Sequence, residues 1–359
     1  MTLLFEPITI RGLTLANRIV LAPMCQYSCD RQDGVPTDWH LVHLGSHAIG
    51  GFGLVLTEAT AVNPEGRISP QDTGLWNDAQ ALAWQRIVSF LHGQGTSVGV
   101  QLSHAGRKAS VYPPFSDASG SVPREAGGWN TVGPSALPFG GYRAPAELSS
   151  AGICHLVEDF KNAARRAVVA GFDVVEIHAA HGYLLHQFLS PLSNRRTDGY
   201  GGDLEGRSRL LLEVVTAVRS VLPNDSPLFV RFSGTDWTDG GWTIEATERV
   251  AKLVGELGVD LIDVSSGGNV PQADIPVGAG YQVPLARAVK IATGLPVGAV
   301  GLITEPDQAE QILSDGSADV VLLARAALRE PGWPLRAARE LGLPADAAPF
   351  RPQYRRAGW

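Results

Sequence analysis

Eight apolar, β-branched runs recur along the chain, and helix-period segments separate many of them. They are 18–24 (RIVLAPM), 53–59 (GLVLTEA), 97–104 (SVGVQLSH), 172–178 (FDVVEIH), 227–234 (PLFVRFSG), 260–267 (DLIDVSSG), 295–301 (LPVGAVG) and 319–325 (DVVLLAR). Their apolarity is continuous rather than alternating, which fits parallel strands buried on both faces. Four intervening segments, 78–95, 154–172, 207–223 and 243–259, carry apolar residues three and four apart and end near Gly or Pro. Thr243 opens the last of them, but Ala246 stands where a full capping box needs Glu or Gln. Strand–helix alternation of this extent predicts an α/β fold, a single (β/α)8 TIM barrel, rather than a doubly wound sheet. No G-x-G-x-x-G follows the first strand, which counts further against a dinucleotide-binding sheet.

Two segments exceed a minimal barrel. LFEPITIRGLTLANR (4–18) reads as an N-terminal hairpin able to close the barrel's bottom. The stretch 105–148 is rich in Pro, Gly and Ser and follows the third strand, so it belongs to the face where barrel active sites form. A loop of that length inside a compact domain is read as a capping insertion over the site. Residues 1–359 then make one domain, with the cap at 105–148 and a tail at 349–359.

Composition narrows the class. The 359 residues are 44% hydrophobic and 18% charged, ample for a large core. A formal net charge of −7 and the lack of any run of five like charges argue against nucleic-acid and anionic-membrane partners, which need a basic face. No apolar run approaches the roughly 18 residues of a membrane span. An early Pro7 and early charges break any signal-peptide pattern, so a cytoplasmic location is expected. Cys25, Cys29 and Cys154 are too few and too unevenly placed for a disulfide framework.

In such a barrel the C-terminal ends of the strands converge on one site. In chain order they deliver Ala22, Pro23, Met24 and Cys25, with Tyr27 just beyond; then Glu58 and Ala59; then Gln101 and His104, followed by Arg107 and Lys108. Next come His178, His181 and Tyr183, then Arg231, then Ser265, Ser266, Gly267 and Gly268, and finally Gly301 and Ala324 with Arg325. Acids are scarce here: Glu58 and Glu176 are read as the only ones inside the strand ends. Three imidazoles, His104, His178 and His181, keep a metal-dependent hydrolase open as an alternative. Such barrels, however, need several carboxylates or four or more histidines. The remainder is neutral donors, a phenol, an arginine and glycine-rich turns after strands six to eight. Turns of that kind ahead of helix N-termini bind phosphate through backbone N–H groups, and the donor-lined space beside them suits a phosphorylated planar cofactor. His40, His43 and His47 fall on one helical stripe and are read as packing, as is Trp333.

Five separate blocks carry a family resemblance: PMCQYS (23–28), EATAVNPEGR (58–67), QLSHAGRKA (101–109), HAAHGYLLHQFLSPLSNRRTDGYGG (178–202) and QYRRAGW (353–359). Together they resemble the Old Yellow Enzyme family, and within it the bacterial thermophilic-like subgroup that has a cysteine where other members carry a threonine. The resemblance runs over about residues 3–359. That family consists of barrels dependent on flavin mononucleotide (FMN). They take hydride from a reduced nicotinamide, NADPH or NADH, and pass it to activated alkenes, so the implied partners are small enone-type molecules.

By that resemblance, His178 and His181 would donate hydrogen bonds to a substrate carbonyl or nitro oxygen, electrostatic catalysis of the oxyanion-hole kind. Tyr183 would protonate the α-carbon. Arg231 and Gln101 would meet the pyrimidine edge of the flavin, while Ala22, Pro23, Met24 and Ala59 hold the ring and Cys25 approaches it near N5. Tyr27 would line the substrate pocket. Gly268, Gly301, Ala324 and Arg325 would hold the phosphate, with Ala324 standing where the family usually has glycine. In the tail, Arg356, with Arg355 second, would reach a neighbouring subunit's site, which implies a homodimer or homotetramer. A dienoyl-type reductase, the nearest flavin-enzyme alternative, would need an iron–sulfur domain for which the chain has neither length nor cysteines.

Overall fold

The computed structural model describes residues 2–359. β1 (Ile8–Ile10) and β2 (Leu13–Leu15) form an antiparallel hairpin that leads into β3 (Ile19–Leu21), the first strand of a closed barrel. Next come β4 (Leu54–Ala61) and β5 (Ser97–Ser103), then a short pair in the insertion, β6 (Val132–Gly133) and β7 (Ala146–Glu147). The barrel continues through β8 (Val174–Ala179), β9 (Leu228–Ser233), β10 (Leu261–Ser265), β11 (Val297–Ala299) and β12 (Val320–Leu323). Its order is β10-β11-β12-β3-β4-β5-β8-β9, and every neighbouring pair is parallel. Each of the eight apolar runs supplies one barrel strand, as continuous two-face burial requires.

The helices are α1 (Asp38–Ile49), α2 (Asp78–Gly93), α3 (Ser150–Ala170), α4 (Leu184–Leu189), α5 (Leu204–Arg219), α6 (Ile244–Glu256), α7 (Val283–Thr293), α8 (Pro306–Ser314), α9 (Arg325–Arg329) and α10 (Trp333–Glu340). Local chemistry sets their ends. Ser149 caps α3 by accepting from Gly152 N–H, and Gly171 at φ +88° closes it in the left-handed conformation only glycine adopts freely. Thr243 caps α6 through Ala246 N–H alone, the single bond its sequence allows.

Alternation along the strands sends one set of side chains out to the helices and the other into the barrel. The lower interior is filled by Val20, Leu54, Leu56, Val174, Phe229 and Leu322, with Ile10 and Leu15 of the hairpin sealing it from below. Each of these contributes roughly 1.5–3 kcal/mol by burial, so the barrel is a packed core and not a pore. Above that plug the interior turns polar, and there β4 breaks its own alternation. Leu56 pairs with Gly99 and Ala59 with Gln101, so β4 spends one extra residue. The bulge brings Ala59 inward and turns Glu58 out to α1, where Glu58 Oε1 lies 3.0 Å from His40 Nε2. The sequence expectation of Glu58 as an acid inside the site is therefore corrected. His40 is buried against Trp84, in keeping with its reading as packing, and it also faces this buried carboxylate. His47 accords with packing, fully buried, its ring beside Phe52 and Nε2 against Ala327 O.

Candidate functional site

β8 stops at Ala179, and the chain turns through His181 (φ +58°) and Gly182 (φ +70°) before α4 begins. Left-handed backbone costs a residue with a side chain about 1–2 kcal/mol, so the surroundings must hold it. They do so group by group. His181 N–H donates to Ser233 Oγ (2.9 Å), and Lys108 Nζ donates to His181 O (2.8 Å). Gly182 N–H donates to His186 Nδ1 (2.9 Å), and Gln187 Nε2 donates to Gly182 O (2.7 Å). His186 is fully buried, with Nε2 3.1 Å from Asp236 Oδ1, a close contact that falls short of hydrogen-bond geometry. Burial alone would raise the Asp236 carboxyl, but His186 beside it brings it down to about 2.

The turn gathers the residues singled out in the sequence. The rings of His178 and His181 are 5.1 Å apart and nearly perpendicular, and those of His178 and Tyr183 are 4.9 Å apart. His178 Nδ1 accepts from Ala180 N–H (3.2 Å), so its single proton sits on Nε2. His181 Nε2 lies 2.8 Å from Ser265 Oγ. Burial, then the charge of Arg231, pulls both imidazoles well below the ordinary histidine range, so both are neutral at physiological pH. Burial, then Cys25 and Tyr27, pushes the Tyr183 phenol well above its ordinary value.

The end of β3 joins the same space. Cys25, Tyr27, Tyr142 and Tyr183 pack against the small cluster of Ala59, Ile68, Ala105, Ala109 and Val111. Glu58 Oε2 accepts from Gln26 N–H (3.0 Å), so the bulge that turns Glu58 outward also ties down the segment carrying Cys25. Burial, followed by Asp72 and Glu58, raises the Cys25 thiol, and the cysteine stays protonated. Ala22 is buried; Pro23 and Met24 are half-buried beside it.

Beneath the imidazoles runs a charged interior layer. Gln101 Nε2 donates to Glu176 Oε1 (2.8 Å), and Arg231 Nε lies 2.9 Å from Asp263 Oδ2. Burial raises both carboxyls, Glu176 further because Asp263 is beside it, while Arg231 pulls the other way. Asp263 is an interior acid the sequence reading missed, so with Glu58 turned outward the interior pair is Glu176 and Asp263 rather than Glu58 and Glu176; Asp263 stands within an apolar run. From Arg231 a cavity of about 190 Å³ extends past Ser265, Gln282, Gly301, Ala324 and Arg325. Ala324 has φ −111°, outside the left-handed region that calls for glycine. A Cβ on Gly301 (φ +120°) would fall 2.8 Å from Gln282 Nε2 and narrow this space. Among the described residues, neither Arg325 nor Arg329 of this lining pairs with a carboxylate, and that donor set fits a phosphate.

A second cavity, about 290 Å³, opens between Tyr27, Lys108, Tyr112, Tyr142 and Tyr183, the insertion supplying one wall. Arg355 and Arg356 are exposed in the turn Pro352–Ala357 and line neither cavity. A larger open groove of about 850 Å³ lies on the outer surface between α3 and α5, away from the strand ends. His104 is buried, its Nδ1 accepting from Gly106 N–H. Among the described residues no three His, Cys, Asp or Glu side chains converge as a metal site requires, and no helix is long and apolar enough to cross a membrane. Ser233, Asp236, His186 and Gln282, which hold the turn or line the cavity beyond Arg231, carried no sequence signal of their own.

The sequence profile of the NADH:flavin oxidoreductase / NADH oxidase family matches residues 3–343. The NADPH dehydrogenase of Geobacillus thermodenitrificans is 49% identical over 359 residues, covering 100% of this chain and 99% of that protein. The NADPH dehydrogenase of Bacillus subtilis is 46% identical over 99% of each. Among solved structures, morphinone reductase superposes with a TM-score of 0.77 at 29% identity, covering 95% of this chain and 90% of that one. The profile covers residues 3–343 and the two relatives nearly the whole chain. The chain belongs to the NADH:flavin oxidoreductase / NADH oxidase family, as an FMN-dependent NAD(P)H dehydrogenase of the Old Yellow Enzyme type.

Proposed function

We propose that this enzyme reduces the activated C=C bond of α,β-unsaturated carbonyl or nitro compounds by a ping-pong cycle, with NADPH or NADH and the alkene using one site in turn. FMN, when bound, accepts hydride from the nicotinamide and returns it to the alkene. The chain's own residues supply the rest. His178 through Nε2–H and His181 through its free nitrogen hold the substrate oxygen; they are neutral donors that stabilise the negative charge growing there. Tyr183 keeps its proton because its phenol is pushed upward, and delivers it to the α-carbon. Arg231 and Gln101 would hold the pyrimidine edge of the flavin. Ala22, Pro23, Met24, Cys25 and Ala59 would border the ring, and Gly301, Ala324 and Arg325 would hold the phosphate, whereas Gly268 does not line that cavity and packs against His181. Tyr27 lines the substrate pocket. Arg356 in the 349–359 tail serves a neighbouring copy in a homodimer or homotetramer, and the 105–148 insertion caps the site.

The observation that carries this proposal is the pair of orthogonal, neutral imidazoles with Tyr183 5 Å away on one pinned turn. Purified enzyme is expected to be yellow and to bind phenols with a long-wavelength change in its spectrum. Replacing both His178 and His181 by Ala should abolish that binding while FMN stays bound. Undiminished phenol affinity in the double variant would overturn the proposal.

A further inference from the structure

The 290 Å³ cavity is walled by phenols and apolar side chains, and among the described residues that line it Lys108 alone carries a charge. Its Nζ donates to His181 O and Gly268 O, 2.8 Å each, and sits 4.5 Å from the Phe139 ring and 5.1 Å from the Tyr183 ring. Among the described residues no carboxylate lies within ion-pair distance of it. Asp72, whose charge is felt by Tyr27 and Tyr183 of this lining, is occupied by Ile68 N–H and Ser69 Oγ. An ammonium has three N–H donors, and two are used.

The two carbonyl bonds do not account for the charge. A neutral amide donates two N–H bonds as well, without the cost of taking a cation out of water. Carbonyl dipoles and ring faces offset part of that cost, but none carries a negative charge. Burial, and Arg107 next in the chain, draw the ammonium down to about 8, the direction expected of a cation lacking its counter-ion.

We propose that Lys108 is the recognition point for an anionic group, a carboxylate or phosphate, on the molecule that enters this cavity. The anion completes the third N–H and neutralises the only charge in the lining. Two sources share that chemistry: the phosphates of the nicotinamide nucleotide, and a carboxylate on the alkene substrate. The inference rests on His178 and His181 holding the substrate oxygen, since that contact fixes which end of a ligand points toward Lys108.

The test uses FMN-loaded wild type, Lys108→Met and Lys108→Gln, read as ratios within each protein so that loss of fold or flavin cancels. For the substrate source, equilibrium dissociation constants are measured for 4-hydroxybenzoate and neutral 4-hydroxybenzaldehyde by the flavin spectrum. For the nucleotide source, flavin reduction is measured with NADPH and with the phosphate-free donor 1-benzyl-1,4-dihydronicotinamide. In both variants the anionic member of one pair should weaken at least about tenfold more than its neutral partner, and the pair that responds identifies the source. Equal losses for anionic and neutral members in both pairs would overturn the proposal and leave Lys108 as a pin for the turn. No loss in any of the four would overturn it as well. Wild type that binds neither phenol would instead refute the oxygen-holding role of the two histidines, a separable failure.

Discussion

His181 Nε2 lies 2.8 Å from Ser265 Oγ, and the direction of the proton in that contact decides what His181 can do. Gln282 Oε1 accepts from Ser266 Oγ at 2.6 Å and, more weakly, from Ser265 Oγ at 3.2 Å. The Ser265 hydroxyl has one proton, and the nearer acceptor is His181 Nε2 at 2.8 Å; donating there gives up only the longer contact to Gln282, which Ser266 still serves. The neutral ring then carries its proton on Nδ1, the nitrogen without a protein partner. His178 is set the opposite way, its Nδ1 accepting from Ala180 N–H and its Nε2 bearing the proton. Two neutral imidazoles thus present one free N–H each, by different tautomers.

Ser265→Ala removes the group that fixes the second tautomer. Phenol affinity should fall about fivefold to tenfold, the size of one net hydrogen bond, with FMN content unchanged. Ser265→Thr should restore most of the loss. Titration of the flavin spectrum with 4-hydroxybenzaldehyde checks this, and unchanged affinity in the alanine variant would mean that Nδ1 was never the donor.

Tyr183→Phe should slow oxidation of the reduced enzyme by an enone by on the order of 10²–10⁴-fold and leave reduction by NADPH within about twofold. Because burial pushes the phenol upward, the wild-type alkene step should show no alkaline fall attributable to this group below about pH 10. Stopped-flow measurement of each half-reaction separates the two. A variant slowed equally in both would have lost geometry rather than an acid.

The strands were legible because each barrel strand is buried on both faces and so reads as an unbroken apolar run. The long helices were legible because their periodicity and terminal Gly or Pro are local. The β4 bulge was not. Continuing the alternation of Leu54 and Leu56 puts Glu58 inside, and only pairing with β5 reveals the extra residue. Asp263 hides within DLIDVSS because its partner Arg231 stands on the neighbouring strand, 32 residues earlier in the chain. His186 sat in the block HAAHGYLLHQF without a role, since its partners Gly182 and Asp236 are brought together only by the fold. β6 and β7 have two residues each, too few for any period to show.

Gly268→Ala tests how closely the loop after β10 supports the catalytic turn. Gly268 has φ +86°, and a Cβ there would lie 2.8 Å from His181 Cα and from His181 O. Something must move, and the residue that meets the new methyl is His181. The substitution should destabilise the protein by roughly 1–3 kcal/mol and weaken phenol binding more than tenfold. Thermal unfolding and phenol titration measure both. Binding at wild-type strength would show that the turn does not depend on this approach.

Asp72 offers a signed pH test. It is buried at 1% exposure, with Oδ2 accepting from Ile68 N–H and Oδ1 from Ser69 Oγ, 2.7 Å each. Burial, and then Glu58, raise its carboxyl from an ordinary 3.8 to about 7. The folded state therefore binds the proton more tightly than the unfolded chain. Its contribution to stability is full below pH 3.8 and declines as pH rises through 7, in total by on the order of 4 kcal/mol at about 1.4 kcal/mol per pH unit. Asn keeps an acceptor for Ile68 N–H and a donor for Ser69 Oγ, with no charge to bury. Asp72→Asn should be no more stable than wild type at pH 4 and clearly more stable at pH 8, the gap opening between them. Melting temperatures followed by flavin release across that range decide the matter. Parallel curves for the two proteins would place the Asp72 carboxyl at an ordinary value in the folded state.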